Sequence, residues 1–487
     1  MNRMKLYDLI GVLPEKTTIG NTEAEIADLE INSKLVREDS LFICLNGTAF
    51  DSHSCLSDLE AYACAAIVCE RKLETKIPQI IVPDSRAAMS LLAAQFYGNP
   101  AKKLKLIAVS GTNGKTTTCH ILRNILAFAG KKAGVIGTLG VFYGDVFFEP
   151  ELTTPDPIRL QKIFRDMADA GVEYVVMEAS AHAIYLKKLE GLYFEIGIFT
   201  NLTQDHLDFF SDMERYKAAK LRFFHHDFCR YLLVNSDDPA GVEIMNGEKD
   251  VLTYGIENPA DVFAIDVEST SGGNCFVMNL FDRIFEIKSE LYGSFNVYNC
   301  LAAAAAAALL GIPTEAISEG ISKIRSVEGR MEPVAETRGA KIFVDYAHTP
   351  DGLEKALIAL KKSCKGRLIC VFGCGGNRDK GKREIMGAVA GRCADFTVIT
   401  SDNPRFEEPM EIIYAVEKGL LTQSDRYVIV QNRREGIRYA LDYAKKGDVI
   451  LVAGKGAEKY QEILGIKHDY NDKDTIMELC AADGDRT

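Results

Sequence analysis

The sequence lacks any hydrophobic run long enough to cross a membrane. No stretch of about 18 consecutive apolar residues occurs, and the start, MNRMKLYDLI, has neither the apolar core nor the cleavage site of a secretory signal. Apolar residues make up 47% and charged residues 26% of the 487 residues, which is typical of a soluble globular protein. We therefore expect a cytoplasmic protein without a membrane partner and, from its length, about three domains.

Paired cysteines and a positive net charge are also absent. The 13 cysteines, an odd number, include no CxxC pair, and several, such as Cys44, Cys119 and Cys300, lie inside apolar runs. This pattern indicates reduced core cysteines, not a disulfide framework or a zinc site. The net charge of −12 argues against nucleic acid as a partner, so an anionic substrate would need local basic pockets.

A glycine-rich loop lies between a predicted strand and a predicted helix within residues 104–130. The run 106–109 is apolar, and apolar residues recur at helical spacing from Lys115 until Gly130. Such a loop directs backbone N–H groups and the positive helix end toward one point, which suits a phosphate chain. Lys115 would reach the outer phosphates and the Thr116 hydroxyl a bound Mg²⁺. The alternative is an ordinary glycine turn before a helix.

Apolar strands alternate with helical segments from residue 104 to about 330, which predicts a mostly parallel sheet covered by helices. Polar residues follow the strand ends, where open α/β sheets bind ligands. Glu178 ends one predicted strand, and Asn201 ends another and precedes His206. A carboxylate and an imidazole beside a triphosphate would form part of a Mg²⁺ site. Each residue alone could equally be a satisfied polar group at a helix start.

The alanine-rich run from Leu301 to Gly311 predicts a buried helix, because alanine is the best helix former and allows close packing. Asn296 and Asn299 precede this run. Their amides could contact a nucleobase or only cap the helix. The residues alone leave both interpretations open.

The first 103 residues predict a small α/β unit. Short apolar runs alternate with polar turns and one helical run, SRAAMSLLAAQFY. This segment carries no nucleophile or metal pattern of its own, so its residues favour a binding or docking module.

A third unit with renewed strand–helix alternation begins after Arg330. Three of its strands run into polar loops, at residues 373–378, 401–405 and 453–458. Glycines let the backbone approach a ligand closely, and these loops bring both signs of charge to one crevice. An amino acid fits such a site, because arginine binds a carboxylate with two parallel bonds while Asp and Glu bind ammonium groups. Solvated turns are the alternative.

Taken together, the motifs resemble those of the Mur ligase family over essentially the whole chain. The general P-loop pattern requires glycine where Val109 stands, but residues 111–116 match the narrower form of the Mur ligases and folylpolyglutamate synthetases. The other matching motifs are TTP at Thr153, ExSxH at Glu178, NLTQDHLDFF at Asn201, FNVYN at Phe295, GRMEP at Gly329, DYAHTPDGLEKAL at Asp345, GCGGNRDKGKR at Gly373, SDNPR at Ser401 and AGKG at Ala453. A folylpolyglutamate synthetase would leave the first hundred residues without a role.

The resemblance implies an α/β protein with a UDP-binding N-terminal domain (1–103), a central P-loop ATPase-like domain (104–330) and a Rossmann-like amino-acid-binding domain (331–487). The implied enzyme is an ATP-dependent, amide-forming ligase of peptidoglycan precursor synthesis, and thus of cell-wall growth, cell shape and cell division. It would phosphorylate the free carboxylate of UDP-N-acetylmuramoyl-L-alanyl-D-glutamate (UDP-MurNAc-L-Ala-D-Glu) and couple the acyl phosphate to an amino acid. ATP and Mg²⁺ are the implied cofactors, and a monomer is expected.

The resemblance also implies five groups of site residues. The nucleotide contacts are Gly111, Thr112, Asn113, Gly114, Lys115, Thr116, Thr117, Asn296, Arg330 and Asp345. The contacts to the UDP-muramoyl peptide are Ser33, Thr153, Thr154, Ser180 and Lys188. The amino-acid contacts are Arg378, Asp402, Asn403, Arg405, Gly454 and Glu458. The metal ligands are Thr116, Glu178, His206 and Lys220, and the catalytic residues are Lys115, His206 and Lys220.

Two of these implied roles have specific chemical consequences. Lys220 matches the lysine that the family carries as a carbamate (N6-carboxylysine), which turns a cation into a carboxylate-like anion able to serve a metal. Without the resemblance, Lys220 would be interpreted as a surface helix lysine. In this family Asp-Asn-Pro-Arg goes with meso-diaminopimelate, and variants lacking the arginine go with lysine. Arg405 would therefore bind the second carboxylate of diaminopimelate.

The chain departs from the usual residues of the family at Ser52 (usually glycine), Ala181 (serine), Lys188 (arginine) and Ala457 (histidine). Lys188 keeps the charge but not the bidentate fork of arginine. Three alternatives therefore remain: a ligase that adds L-lysine or another diamino acid, a ligase acting on another carrier, and a nucleotide-binding scaffold without turnover. The intact P-loop and implied metal ligands argue against the scaffold.

Overall fold

The computed structural model describes residues 3–47, 50–149, 151–270 and 272–484. The chain forms two compact units. The first consists of Met1–Ala108, Lys132–Gly197 and Arg222–Arg230, and the second of Val109–Lys131, Ile198–Leu221 and Tyr231–Thr487. The predicted α/β class is confirmed. The predicted boundaries at residues 103 and 330 stay a prediction.

The N-terminal part of the first unit is a small α/β layer structure. Its five-stranded sheet has the order Thr17–Ile19, Gln79–Ile81, Ala66–Cys69, Ser40–Ile43 and Asp28–Glu30. All neighbouring strands are parallel except the first pair. The helices are Leu6–Ile10, Leu56–Ala61 and Ser85–Phe96, and a separate strand pair joins Met4–Lys5 to Glu25–Ile26. The helical run predicted from residue 85 is confirmed, and its buried face packs on the core of this sheet.

The rest of the first unit carries strands of the large, mostly parallel central sheet. These strands are Ala133–Gly137, Gly140–Tyr143, Val146–Phe148 and Tyr174–Glu178, and the helices are Pro157–Asp169 and Ala181–Tyr185. Tyr174–Glu178 runs parallel to Ala133–Gly137, and the other two strands follow as antiparallel hairpins. Three further strands, Lys105–Ser110, Phe194–Phe199 and Cys229–Asn235, have residues in both units.

The second unit contains the remaining central strands and the helix that follows the glycine loop. The strands Val251–Gly255 and Val262–Thr270 continue the parallel arrangement, and Gly273–Leu280 and Arg283–Ser289 are antiparallel. The helices are Lys115–Phe128, Leu207–Phe210, Met213–Leu221, Pro239–Gly247, Phe295–Leu309 and Thr314–Ser322. The predicted alanine-rich helix is confirmed, and its alanines are buried through Ala307.

A six-stranded sheet forms the C-terminal part of the second unit. Its order is Glu332–Thr337, Ala340–Asp345, Val449–Ala453, Leu368–Phe372, Phe396–Ile399 and Tyr427–Ile429. Only the first pair is antiparallel, so the other strands end at one edge of the sheet. The helices are Pro350–Ser363, Gly381–Cys393, Pro409–Leu420, Arg433–Tyr443 and Asp472–Gly484, and a hairpin joins Tyr460–Ile463 to Ile466–Asp469.

The cysteines that lie inside apolar runs of the sequence, Cys44, Cys119 and Cys300, are buried. All 13 cysteines are free thiols. Burial raises the pKa of the Cys300 thiol to about 12, which keeps it protonated and unreactive at neutral pH. Among the helices of the described residues, none combines the length and the apolar character that a bilayer span requires.

Candidate active site

The predicted glycine loop lies between Ser110 and the helix Lys115–Phe128. Gly111 and Gly114 have φ angles of 143° and 87°. A Cβ at Gly111 would lie 1.9 Å from Thr200 Oγ1, and one at Gly114 would lie 2.5 Å from an Asn299 oxygen. Only glycine fits these two positions. The loop therefore leads directly into the positive end of a 14-residue helix, which is a favourable place for a phosphate.

Three basic side chains lie at this loop. Lys115 Nζ donates to Gly111 O (3.0 Å) and Thr112 O (2.8 Å), and Lys220 Nζ donates to Gly111 O (2.6 Å). Arg330 donates to Thr116 Oγ1 at 3.0 Å. Lys115 and Arg330 give this part of an acidic chain a local positive charge.

Lys220 is 1% exposed, so its interpretation as a surface lysine is wrong. Burial, together with repulsion from Lys115, lowers its pKa well below the ordinary value of lysine. The side chain also packs over the ring of Tyr216, with Nζ 5.0 Å from the ring centre. A lysine held in this environment favours a neutral amine, which is the form that can react with carbon dioxide.

His206 begins the short helix Leu207–Phe210 and has a left-handed backbone with φ of 56°. The preceding strand ends at Phe199, two residues earlier than the predicted Asn201. Asp205 lies between two imidazoles, with His206 Nε2 at 3.3 Å and His348 Nε2 at 3.5 Å from its carboxylate. Burial alone would raise the pKa of Asp205, but the two histidines hold it well below its usual range.

Sequence reasoning assigned no role to Asp205 or His348, although both stand inside quoted motifs. Their mutual contact joins residues 143 positions apart, and spacing along the chain carries no signal of it. Within the described residues, no group of three His, Cys, Asp or Glu side chains is arranged to hold a metal ion.

Four of the predicted residues form a hydrogen-bonded network in the first unit. Glu178 ends its strand, as predicted, and its carboxylate accepts bonds from Thr138 N (2.8 Å) and Thr138 Oγ1 (3.2 Å). Thr153 Oγ1 lies 3.1 Å from Thr138 Oγ1. Thr154 Oγ1 donates to Glu178 O (2.7 Å) and contacts Ser180 Oγ (3.2 Å). Thr138 links the Glu178 carboxylate to Thr153, but no motif marked Thr138 in the sequence.

The other two predicted muramoyl-peptide residues make different contacts. Lys188 Nζ forms a 2.6 Å ion pair with Asp156, and its side chain is mostly buried. Ser33 is half-buried and donates to Asp58 at 3.1 Å. The partners of Ser33 and Lys188 are therefore aspartates, Asp58 and Asp156, and not members of the network around Glu178.

The buried amides of Asn296 and Asn299 are bonded to each other, with Asn299 Nδ2 donating to Asn296 Oδ1 at 2.8 Å. Asn296 Nδ2 also donates to Tyr292 O (2.7 Å), and Thr118 Oγ1 donates to Asn299 (3.2 Å). The interpretation of these amides as helix caps is wrong, because the N-cap is Ser294 and makes no side-chain capping bond. The pair instead lies beside the helix that follows the glycine loop.

The remaining predicted nucleotide contacts are held by neighbours within the second unit. Asp345 accepts bonds from Met331 N (2.6 Å) and Ala347 N (2.7 Å), and burial raises the pKa of its carboxyl group. Asn113 Nδ2 donates to Asp351 at 2.9 Å. Thr112 Oγ1 lies 3.1 Å from the Tyr216 hydroxyl, and Thr117 is buried in the first turn of the helix.

The three polar loops of the C-terminal sheet meet at one edge, as predicted. A Cβ at Gly376 would lie 1.9 Å from Pro404 O, and one at Gly375 would lie 3.0 Å from Arg405 Nη1. Gly454 has φ of 111°, and a Cβ there would lie 2.8 Å from Asp402. These glycines are therefore required for contact between the loops, whereas the sequence had suggested an approach to the ligand only.

The loops bring five of the six predicted amino-acid-binding residues together. Asn403 Nδ2 donates to Glu458 at 2.9 Å, and the buried Lys455 donates to Asn403 (3.0 Å) and Glu458 (2.8 Å). Asp402 and Gly454 lie beside them. Burial would raise the pKa of Asp402, but Lys455 and other nearby cations hold it below its usual value.

Arg405 is 16% exposed, and its Nε lies 3.1 Å from Glu462. Its Nη1 donates to Gly376 O at 2.8 Å. Arg378, by contrast, is exposed on its loop. Sequence reasoning missed Lys455 and Glu462. Lys455 stands inside the quoted AGKG motif, whereas Glu462 lies in a hairpin that no motif marks.

The buried ion pair of Arg433 and Asp472 holds the start of two of these loops, 401–405 and 453–458. Arg433 binds both oxygens of Asp472, at 2.8 and 2.7 Å, and neither side chain is exposed. Arg433 also donates to Ala453 O (2.9 Å) and Ser401 O (3.4 Å), where the two loops begin.

Replacing Asp472 with asparagine should leave the Arg433 charge buried and unpaired. We expect the free energy of unfolding to fall by about 3–5 kcal/mol, measured by denaturant or thermal unfolding. Glu478→Gln is the matched control, because it breaks the exposed 2.8 Å pair with Arg434 and should cost less than about 1 kcal/mol. Equal losses in the two variants would contradict the supporting role of Arg433.

The fold and the site define a class of protein: an α/β protein with a glycine loop that leads into a helix N-terminus and with charged loops of both signs at the edge of a second sheet. Residues 109–307 match the Mur ligase middle domain, and residues 329–456 match the Mur ligase glutamate ligase domain. The chain belongs to the Mur ligase family. The predicted class, an ATP-dependent amide-forming ligase, is thereby confirmed.

Named relatives and solved structures match nearly the full length of the chain. A Clostridium acetobutylicum protein named UDP-N-acetylmuramoyl-L-alanyl-D-glutamate–2,6-diaminopimelate ligase 1 is 43% identical over 97% of this chain and 98% of its own. A solved structure of a ligase with the same name, without the final number, has a TM-score of 0.70 and 30% identity, covering 98% of this chain and 99% of the other. The MurF ligase of Thermotoga maritima, solved with ADP, has a TM-score of 0.64 and 22% identity, covering 94% and 98%, and shows the shared fold.

Proposed function

We propose that this chain uses ATP to join meso-diaminopimelate to UDP-MurNAc-L-Ala-D-Glu in peptidoglycan precursor synthesis. The observation that carries the proposal is Arg405, which lies in a pocket with Asp402, Asn403 and Glu458. The pocket carries both signs of charge, as a diamino dicarboxylic acid requires. The relative that is 43% identical is named for 2,6-diaminopimelate, which agrees with this chemistry.

In the first step, the γ-phosphoryl group of ATP passes to the free carboxylate of the glutamyl residue and ADP leaves. Lys115 and the N-terminus of its helix hold the phosphates, and Arg330 adds a third positive contact. The oxygen of Thr116, with Glu178, His206 and Lys220 as its carbamate, would hold Mg²⁺, which neutralises phosphate charge when bound. The hydroxyl and carboxylate groups of this set suit the preference of Mg²⁺ for oxygen ligands.

In the second step, the amine of the amino acid attacks the acyl carbon, loses a proton, and phosphate leaves with the carboxylate oxygen. Asp402 and Glu458 bind ammonium groups, and Arg405 binds the distal carboxylate. L-Lysine lacks that carboxylate and would leave the Arg405 charge without its substrate partner, so a site built on this residue rejects lysine. Arg378, Asn403 and Gly454 complete the amino-acid site.

The N-terminal domain, residues 1–103, would hold the uridine end of the substrate through Ser33. Thr153, Thr154, Ser180 and Lys188 would hold the muramoyl peptide. We infer a monomer that acts in the cytoplasm on these small molecules, without nucleic acid or a membrane as a partner. The domain division at residues 103 and 330 is part of this proposal.

The proposal is tested by measuring phosphate release from ATP in the presence of Mg²⁺. We expect release to require both UDP-MurNAc-L-Ala-D-Glu and meso-diaminopimelate, with L-lysine at least about 10³-fold less effective in kcat/KM, because the site loses a charged partner. Mass spectrometry should detect the corresponding UDP-MurNAc-tripeptide. A preference for lysine would contradict the proposal and identify lysine as the amino acid substrate. ATP binding without turnover under any of these conditions would indicate a nucleotide-binding scaffold.

A further inference from the structure

The hairpin Tyr460–Asp469 pairs with the loop that carries Arg405. Arg405 N donates to Glu462 O at 3.0 Å, and Leu464 N donates to Arg405 O at 2.7 Å. Gln461 Nε2 donates to Asp402 O (2.7 Å), and Glu462 N donates to Asn403 Oδ1 (2.9 Å). Three residues of the hairpin, Gln461, Glu462 and Leu464, therefore hold the backbone or side chains of three predicted amino-acid-binding residues.

Arg405 has an uncommon backbone conformation, with φ of 53° in the left-handed region. Non-glycine residues remain in this region only when their surroundings hold them there, and such residues cluster at functional sites. The two backbone bonds to the hairpin provide that restraint on both sides of the residue. The hairpin thus fixes the position from which the Arg405 side chain extends.

The Glu462 side chain then fixes the guanidinium group itself. Its carboxylate lies 3.1 Å from Arg405 Nε, and Gly376 O accepts from Nη1 at 2.8 Å. A guanidinium has five N–H groups in a rigid plane, so these two bonds set the plane and leave three N–H groups for other partners. The Glu462 side chain is only 21% exposed, which protects the pair from solvent screening.

We propose that Glu462 is a positioning residue that sets the selectivity of the site for an amino acid with a second carboxylate. It orients Arg405 so that the remaining N–H groups receive that carboxylate. This inference rests on the proposed function, because it concerns the same pocket. The negative charge of Glu462 repels the substrate carboxylate, but pairing with Arg405 neutralises this charge. Loss of Glu462 would displace the guanidinium, and a displacement of about 1 Å can lower kcat/KM about 100-fold.

The test is a double-mutant cycle on the full chain, with kcat and KM measured for meso-diaminopimelate. Glu462→Ala should raise KM for meso-diaminopimelate by about 10- to 100-fold. The values of kcat and of KM for ATP should change by less than about twofold, since Glu462 contacts neither the nucleotide nor the reacting atoms in this account. In an Arg405→Ala background, the same substitution should change KM by less than about twofold, because its effect acts through Arg405. Glu462→Gln keeps an acceptor oxygen, so it should raise KM less than Glu462→Ala does.

Asp469→Asn is the matched control, because this exposed residue of the same hairpin loses the same charge without contacting the Arg405 loop. Its KM should equal that of the wild type. An unchanged or lower KM in Glu462→Ala would overturn the positioning role, and so would an equal effect in both Arg405 backgrounds, which indicates general damage to the hairpin. Failure of the proposed function itself would be seen separately in the wild type, as a preference for L-lysine over meso-diaminopimelate or as no turnover with either.

Discussion

Arg405→Ala is expected to lower kcat/KM for meso-diaminopimelate by about 10³- to 10⁴-fold. The reason is that a mostly buried cationic group, held by Glu462 and Gly376 O, would no longer pair with the second carboxylate of the substrate. Sites that bind a substrate through a specific polar group discriminate far more strongly than apolar pockets do. Steady-state kinetics with varied meso-diaminopimelate at saturating ATP and UDP-MurNAc-L-Ala-D-Glu measure the effect.

Two further variants sharpen this expectation. Arg405→Lys keeps the charge but not the planar fork, so we expect an intermediate loss. Arg392→Ala removes an exposed arginine that pairs with Glu354 at 2.7 Å, and its kinetics should match the wild type. Wild-type use of meso-diaminopimelate by Arg405→Ala would remove Arg405 from the pocket and leave the choice of amino acid to other residues.

Lys220→Met is expected to lower kcat by about 10³-fold, which is the scale seen when one preorganised electrostatic group is lost. Methionine matches the length of the lysine side chain and suits its buried site, so the protein should still fold. The carbamate formed on Lys220 would supply negative charge for Mg²⁺, and methionine supplies none. The burial that lowers the lysine pKa favours the neutral amine, which is the form that reacts with carbon dioxide.

Carbon-13 NMR with labelled bicarbonate tests the modification separately from turnover. The wild type should give a carbamate signal, and Lys220→Met should not. Lys217→Ala is the control. Lys217 lies on the same helix and pairs with Glu214 and Glu243 at 3.1 Å, so its loss should leave both the carbamate signal and the activity unchanged. A wild-type protein without the signal but with full turnover would refute the carbamate role.

Local structure followed from the sequence wherever one period or one special residue decided it. The alanine run predicted a buried helix, and Phe295–Leu309 is that helix. The glycine loop predicted its strand and helix because Gly111 and Gly114 occupy conformations that other residues rarely adopt. Parallel strands predicted that the three C-terminal loops would share an edge, because such strands end on the same side of a sheet.

The sequence could not predict which charged groups would pair. Arg433 and Asp472 are 39 positions apart, and Arg405 and Glu462 are 57 apart, so no local pattern joins them. Lys220 resembled a surface residue, because helical periodicity does not reveal what packs on a polar face. Asn296 and Asn299 resembled caps, because amides before a helix usually do cap it.

The sequence by itself determined the α/β class, the phosphate loop, the family motifs and the edge at which the C-terminal loops meet. These depend on short-range periodicity, on glycine and on the order of strands along the chain. Only the tertiary structure decided the burial of Lys220, the threonine network around Glu178, and the ion pairs that hold Arg405 and Arg433. These depend on contacts between distant segments, and the free energy of a buried charge is set by the partners that folding brings to it.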